Sequence, residues 1–169
     1  MIIWFTGIPC SGKTTISKAV QEKCFYESLD TELLDGDVLR GSAFSKGIGF
    51  SKEEREIHLL RVGYMAQLLS NHGVCVLCSF VSPFEDVRQE INPDITVYVK
   101  CSQEECIKRD VKGMWAKAKA GEIKGFTGYD APFEEPKNPD ITLDTTKLSL
   151  DECVKTVMDK ITDEITRRL

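Results

Sequence analysis

The residues best suited to chemistry lie close to the start of the chain. Gly7, Ile8, Pro9, Cys10, Ser11, Gly12, Lys13 and Thr14 match GxxxxGK[ST] at every defined position. Glycines at the two ends let the backbone fold tightly, so that its N–H groups face phosphate oxygens. A helix beginning there adds its N-terminal dipole. Lys13 then reaches the β- and γ-phosphates, and the Thr14 hydroxyl takes a place on Mg²⁺. A second polar group, Asp35-Gly36-Asp37, follows an apolar pair, Leu33-Leu34. A carboxylate beside such a loop can accept the proton of an attacking hydroxyl, or order water on the metal. The competing reading is a solvated Asp-Gly-Asp turn.

These groups need a scaffold, and the hydrophobic pattern supplies one. Residues 1–6 are an apolar run leading into the loop, as a buried strand would be. A helix is expected over 12–25, with Ile16, Ala19 and Val20 at helical spacing. Leu33-Leu34 reads as a second strand ending in the polar turn. Ser51 caps a further helix, with Glu54 three residues on and an apolar stripe through Leu60, Met65 and Leu68; Gly73 stops it. Residues 74–80 are apolar almost throughout, which suits a central parallel strand. Strands at 95–99 and 141–143 and an amphipathic helix over 149–168 complete the order. Alternation of this kind predicts an α/β fold: a parallel five-stranded sheet flanked by helices, in one domain over 1–169. The segment 113–139 breaks the alternation. It is basic, then rich in Gly and Pro, with aromatics at Trp115, Phe126, Tyr129 and Phe133, and it reads as a lid.

Composition narrows the class. The chain has 169 residues, 41% apolar and 29% charged, which is enough for one domain with a real core. A net charge of −5 argues against nucleic acid as a partner. Seven cysteines offer no zinc or disulfide framework. Cys75 and Cys78, the only CxxC, are three apart on a strand and so point to opposite faces. Reduced, packed thiols, no signal peptide and no membrane-length apolar run lead to an expectation of a cytoplasmic protein without a membrane partner.

The P-loop alone does not choose between kinase, motor and switch. A guanine-reading [NT]KxD is missing, since Thr146-Lys147-Leu148-Ser149 lacks the aspartate. The strand 74–80 ends among Ser79 and Ser82 rather than in the acidic residue of a motor ATPase. A small-molecule kinase fits best.

Longer stretches then carry a family resemblance. Leu34-Asp35-Gly36-Asp37-Val38-Leu39-Arg40, Gly49-Phe50-Ser51, Phe80-Val81-Ser82-Pro83-Phe84, Lys108-Arg109-Asp110-Val111-Lys112-Gly113 and the run from Ala118 through Lys124 and Phe126 to Gly128 occur in the order seen in adenylylsulfate kinases. The chain resembles that family of P-loop kinases over essentially its whole length. The resemblance implies transfer of the ATP γ-phosphoryl group to the 3′-hydroxyl of adenylylsulfate, with Mg²⁺, in a homodimer. It implies Asp35 as base, assisted by Lys13 and, through water, by metal held near Thr14 and Asp35. Gly7, Pro9, Cys10, Ser11, Gly12, Lys13, Thr14, Thr15 and Arg109 would hold ATP. Asp37, Arg40, Phe50, Arg55, His58, Val81, Ser82, Lys112, Lys124 and Phe126 would hold the acceptor: the arginines its 5′ anion, the two aromatics its base. Plain alternatives are surface charge for Arg40, Arg55 and Lys112, core packing for Phe50 and Phe126, and an exposed helix position for His58. Ser82, where a phospho-enzyme has been suspected in the family, is read as a structural or acceptor-site residue.

The departures cluster on the acceptor side. His58 stands where the family has asparagine, the segment after Phe84 is short, and Tyr129 and Ala131 replace Ile and Asp. A related kinase of cytidine diphosphoramidate is therefore an open alternative for the acceptor. A non-catalytic nucleotide-binding subunit is the alternative of another class.

Overall fold

The computed structural model describes residues 1–168; Leu169, the last residue of the expected domain, lies outside them. β1 (Ile2–Thr6) is buried along its whole length. α1 (Lys13–Tyr26), β2 (Thr31–Asp35), α2 (Gly36–Arg40), α3 (Lys52–Asn71) and β3 (Cys75–Ser79) follow. Then come α4 (Glu85–Ile91), β4 (Ile95–Lys100), α5 (Gln103–Lys108), α6 (Met114–Lys119), β5 (Ile141–Asp144) and α7 (Leu150–Arg168). The strands form one sheet in the order β2-β3-β1-β4-β5, and every pairing is parallel.

Period-2 alternation divides the core between the two faces of the sheet. On β1, Ile3 and Phe5 face α1 and α7, together with Val20, Leu77, Val97 and Ile161. Ile2 and Trp4 face the α3 side, with Leu59, Val62, Val76 and Phe84. Cys75 belongs to the first layer and Cys78 to the second, as their spacing requires, and all seven cysteines are free thiols. Among the described residues no helix is long and apolar enough to cross a membrane.

The start of α3 follows its sequence signature. Ser51 Oγ accepts from Glu54 N, while Glu54 Oε2 accepts from Ser51 N, a complete capping box. Glu54 Oε1 also accepts from Gly49 N at 2.9 Å, which fixes the chain just before Phe50. Gly73 adopts φ +87 just beyond the helix, where a side chain would be strained.

Three differences from the sequence reading bear on the site. The polar turn after β2 is a short helix. Asp35 is its N-cap, with Oδ1 accepting from Asp37 N at 2.9 Å and Val38 N at 3.3 Å. The segment 113–139 is not wholly irregular, because α6 lies inside it, with Asp110 accepting from the N–H groups of Met114 and Ala116. The helices α4 and α5, each under two turns, escaped notice because so short a run shows no periodicity.

Candidate active site

β1 and β3 are neighbours at the centre of the sheet, and the loops beyond their C-terminal ends face one another across a cleft, as in open parallel sheets generally. The cleft has a volume of about 1010 Å³, at the upper end for a single small ligand, which leaves room for donor and acceptor together.

At its floor, the P-loop joins β1 to α1. Cys10 and Gly12 have φ of 66 and 104, and Gly7 has φ 156. The Lys13 ammonium is buried and donates to the carbonyls of Gly7 and Ile8, both at 2.9 Å. Burial pulls its pKa down to about 8, against the opposing pull of Asp37 and Asp35. Gly7 packs so closely that a Cβ there would overlap the Val99 carbonyl oxygen and come within 2.8 Å of Ser11 Oγ. Gly7→Ala is therefore expected to destabilise the fold by about 1–3 kcal/mol. It should also remove any stabilisation by ATP, both readable in thermal melts with and without nucleotide.

Thr14 links this loop to the carboxylate. Its hydroxyl donates to Asp35 Oδ2 at 2.8 Å and lies 3.5 Å from Ser79 Oγ. Asp35 is buried, and its other oxygen is occupied by the start of α2, so the side chain is held in one orientation. This hydroxyl and carboxylate are hard oxygen donors, the type Mg²⁺ prefers beside nucleotide phosphates. Among the described residues there is no cluster of three or more His, Cys, Asp or Glu side chains able to hold a metal alone.

The residues expected on the acceptor side belong to the same cleft. Asp37, Arg40, Phe50, Arg55, His58, Val81, Ser82, Lys112, Lys124 and Phe126 all line the cleft, as do Pro9, Cys10, Gly12, Lys13, Thr14, Thr15 and Arg109. Gly7 and Ser11 lie behind this surface, in contact with Lys13. Arg40 donates to the Gly49 carbonyl at 2.8 Å, and its guanidinium lies 4.7 Å from the Phe50 ring centroid. Phe50 is 67% exposed, so it is no core aromatic. Phe126 is buried edge-on against Trp115, with centroids 5.0 Å apart, and serves core and cleft together. Arg55 reaches from α3 to the segment 113–139, donating to Thr127 Oγ1 at 2.8 Å and to the Gly125 carbonyl. Lys112 pairs with Asp37, but both are largely exposed, so the pair contributes little and is free to exchange partners.

His58 is not at an exposed helix position. It is 2% exposed, and its ring meets Phe44 and Phe80 edge-on at 5.8 and 6.1 Å. Burial, reinforced by Arg40 and Arg61, lowers its pKa from 6.5 to about 4. An unfolded chain would thus take up a proton that the folded one refuses between these values. Stability is expected to be full above pH 6.5 and to fall as pH drops from about 6.5 to 4. His58→Gln should flatten this part of a melting-temperature profile.

Sequence reasoning missed several supporting residues. Thr145 accepts from Arg109 and donates to the Ser11 carbonyl at 3.0 Å, connecting Arg109 to the P-loop. Leu148, Leu150 and Cys153 extend the same wall. Trp115 Nε1 donates to the Pro9 carbonyl at 3.3 Å, which joins α6 to the P-loop. The buried Arg88 holds the Ser82 carbonyl at 2.5 Å and the Glu134 carbonyl at 2.6 Å. None of these forms a motif; a Thr next to the failed guanine sequence was the nearest signal.

Comparison with known proteins decides the family. A family model described as adenylylsulphate kinase matches residues 1–144. The chain belongs to the adenylylsulphate kinase family. It is 44% identical over 165 residues to an adenylyl-sulfate kinase of Picosynechococcus, covering 95% of this chain and 93% of the relative. Identity to an adenylyl-sulfate kinase of Staphylococcus epidermidis is 42%, over 93% of this chain and 81% of that one. The Mycobacterium tuberculosis APS kinase CysC, solved with AMPPNP and APS, superposes with a TM-score of 0.89 at 36% identity, covering 95% of this chain and 96% of that one. As a member of this family the chain is a nucleotide-using kinase that transfers phosphate to a hydroxyl group.

Proposed function

We propose that this chain transfers the γ-phosphoryl group of ATP to the 3′-hydroxyl of adenylylsulfate. The observation that carries the reading is the 2.8 Å contact between the P-loop hydroxyl of Thr14 and Asp35, in a cleft that Arg40 and Arg55 also line. ATP phosphates would lie along the P-loop, where their oxygens replace the carbonyls now bonded by Lys13. Arg109, steadied by Thr145, contributes positive charge from the lid side. The adenylylsulfate base stacks between Phe50 and Phe126, and its anionic group meets Arg40 and Arg55, whose planar forks suit sulfate oxygens. Asp35 then orients the 3′-hydroxyl and receives its proton. The transition state of such transfers is loose, so alignment and charge stabilisation matter more than a strong base. Mg²⁺, when bound near Thr14 and Asp35, neutralises charge on the transferring phosphates.

The remaining parts of the proposal are a lid formed by 113–139 over a single domain, a homodimer, and a cytoplasmic setting; the seven free thiols favour the last. Purified protein should release ADP from ATP and Mg²⁺ when adenylylsulfate is added, with a new 3′-phosphate visible by ³¹P NMR. Cytidine diphosphoramidate is the comparison acceptor. Turnover of adenylylsulfate no faster than ATP hydrolysis alone would sink the proposal.

A further inference from the structure

Past the end of β3 the chain adopts a conformation that its residues do not favour. Ser82 has φ +43, in the left-handed region that suits glycine or asparagine rather than serine. Strain of this kind persists only where the surroundings over-determine it, and it gathers at functional sites. The surroundings here are two buried side chains, Thr6 and Arg88, that do not line the cleft, whereas Val81, Ser82 and Pro83 do. From the end of β1, the Thr6 hydroxyl donates to the Val81 carbonyl at 2.7 Å and lies 3.2 Å from that of Ser82. From α4, which starts directly after Phe84, the Arg88 guanidinium donates to the carbonyls of Ser82 and Glu134. Its other bonds go to Glu85 Oε2, at 3.2 Å from Nε and 2.6 Å from Nη2, and Cζ lies 5.8 Å from the Phe133 ring centroid. Glu134 completes the circle. Its N–H donates to the Pro83 carbonyl at 2.9 Å, and its Oε2 accepts from Glu85 N at 2.8 Å. An ion pair with Glu85 alone would need none of these main-chain contacts.

We propose that Arg88 is a positioning residue for phosphoryl transfer: it touches no substrate, and with Thr6 it holds residues 81–83 in the strained shape that completes the acceptor side of the cleft. This rests on the reading of the cleft as the acceptor-nucleotide site. The order of the strands makes the acceptor feel this more than ATP does. β3 lies between β2 and β1, and its last residue, Ser79, is paired with Asp35. The loop that continues β3 therefore starts beside the carboxylate that receives the acceptor hydroxyl, while ATP phosphates lie along the P-loop and Lys13. A guanidinium suits the task because its planar fork reaches several oxygens at once, which the point charge of a lysine cannot do.

Arg88→Lys keeps a cation opposite Glu85 but gives up the fork. It should lower kcat/KM for adenylylsulfate by about 10²-fold, through KM more than kcat, with KM for ATP within about twofold of the parent. Thr6→Val, nearly the same in shape, removes one hydroxyl and should cost about three- to tenfold in the same quantity. Because both side chains act on one loop, the double variant should lose less than the product of the two effects. A purely structural Arg88 would reduce the folded fraction, lowering kcat and leaving both KM values where they were. That result overturns the proposal, as does multiplicative behaviour in the double variant. If Arg88→Lys does not fold, Thr6→Val decides: an adenylylsulfate KM equal to the parent's refutes it. Hydrogen exchange read by mass spectrometry needs no turnover. Amides of 81–85 should exchange faster in either variant, and those of 8–14 at the parental rate. Unchanged exchange at 81–85 also refutes the proposal. Faster exchange there, in a chain whose parent phosphorylates no acceptor, would count against the proposed function while supporting Arg88 as the fastener of the loop.

Discussion

Asp35→Asn should lower kcat by about 10²–10⁴-fold while leaving ATP binding within a few-fold of the parent. The choice of asparagine isolates the chemistry. Asp35 caps α2 through Oδ1, and asparagine caps a helix about as well, so the backbone that carries Asp37 and Arg40 should persist. The amide nearly matches the carboxylate in volume, which protects a site that is 5% exposed. What disappears is the negative charge next to Thr14 and the ability to take the proton of the attacking hydroxyl. Steady-state ADP release and nucleotide-dependent melting would separate the two effects. Retention of more than a tenth of the parent rate would show that Asp35 is structural. If parent and variant alike transfer phosphate to no acceptor, the chain is a nucleotide-binding subunit without catalysis.

Lys13→Met is expected to reduce kcat by at least about 10²–10³-fold, the usual cost of losing one preorganised group that stabilises transition-state charge. Methionine keeps the unbranched stem of the side chain but gives up the ammonium that bridges Gly7 and Ile8. The titration of Lys13 adds a second signature. Its pKa is about 8 in the free protein, and phosphate anions beside it must raise that value. The bound form therefore holds its proton more tightly than the free form. ATP affinity should be full below pH 8 and decline as pH rises above it, by up to tenfold per unit until the bound pKa is reached. Calorimetric titrations at pH 7 and 9 would show this for the parent and not for Lys13→Met. A parent whose affinity is flat across that range would mean that Lys13 is not the phosphate contact.

The parts legible in the sequence share one property: they depend on neighbours close along the chain. Ser51 and Glu54 form a capping box because three residues of helix bring them together. Cys75 and Cys78 diverge because a strand alternates its faces. The apolar runs of β1, β3 and β4 and the helical stripes between them implied a parallel α/β sheet, and such a sheet is present. Short helices were lost because one or two turns carry too little periodicity to register, and because Asp35 serves as strand end, helix cap and site residue at once.

Chemistry at a distance was less visible. The sequence by itself determined that a phosphate loop precedes α1, that an Asp-Gly-Asp segment begins where β2 ends, and that the order of motifs is that of adenylylsulfate kinases. Only the tertiary structure decided that Thr14 and Asp35 touch, that Arg109 is bonded to Thr145, and that Arg88 is buried against the Ser82 carbonyl. It also decided that His58 is buried, with Nδ1 3.3 Å from Ser45 Oγ. The reason is physical. Burial and a shifted pKa arise from the groups that surround a side chain, and these come from elements far apart in the chain. Loop closure in the folded protein, not local spacing, brings them together.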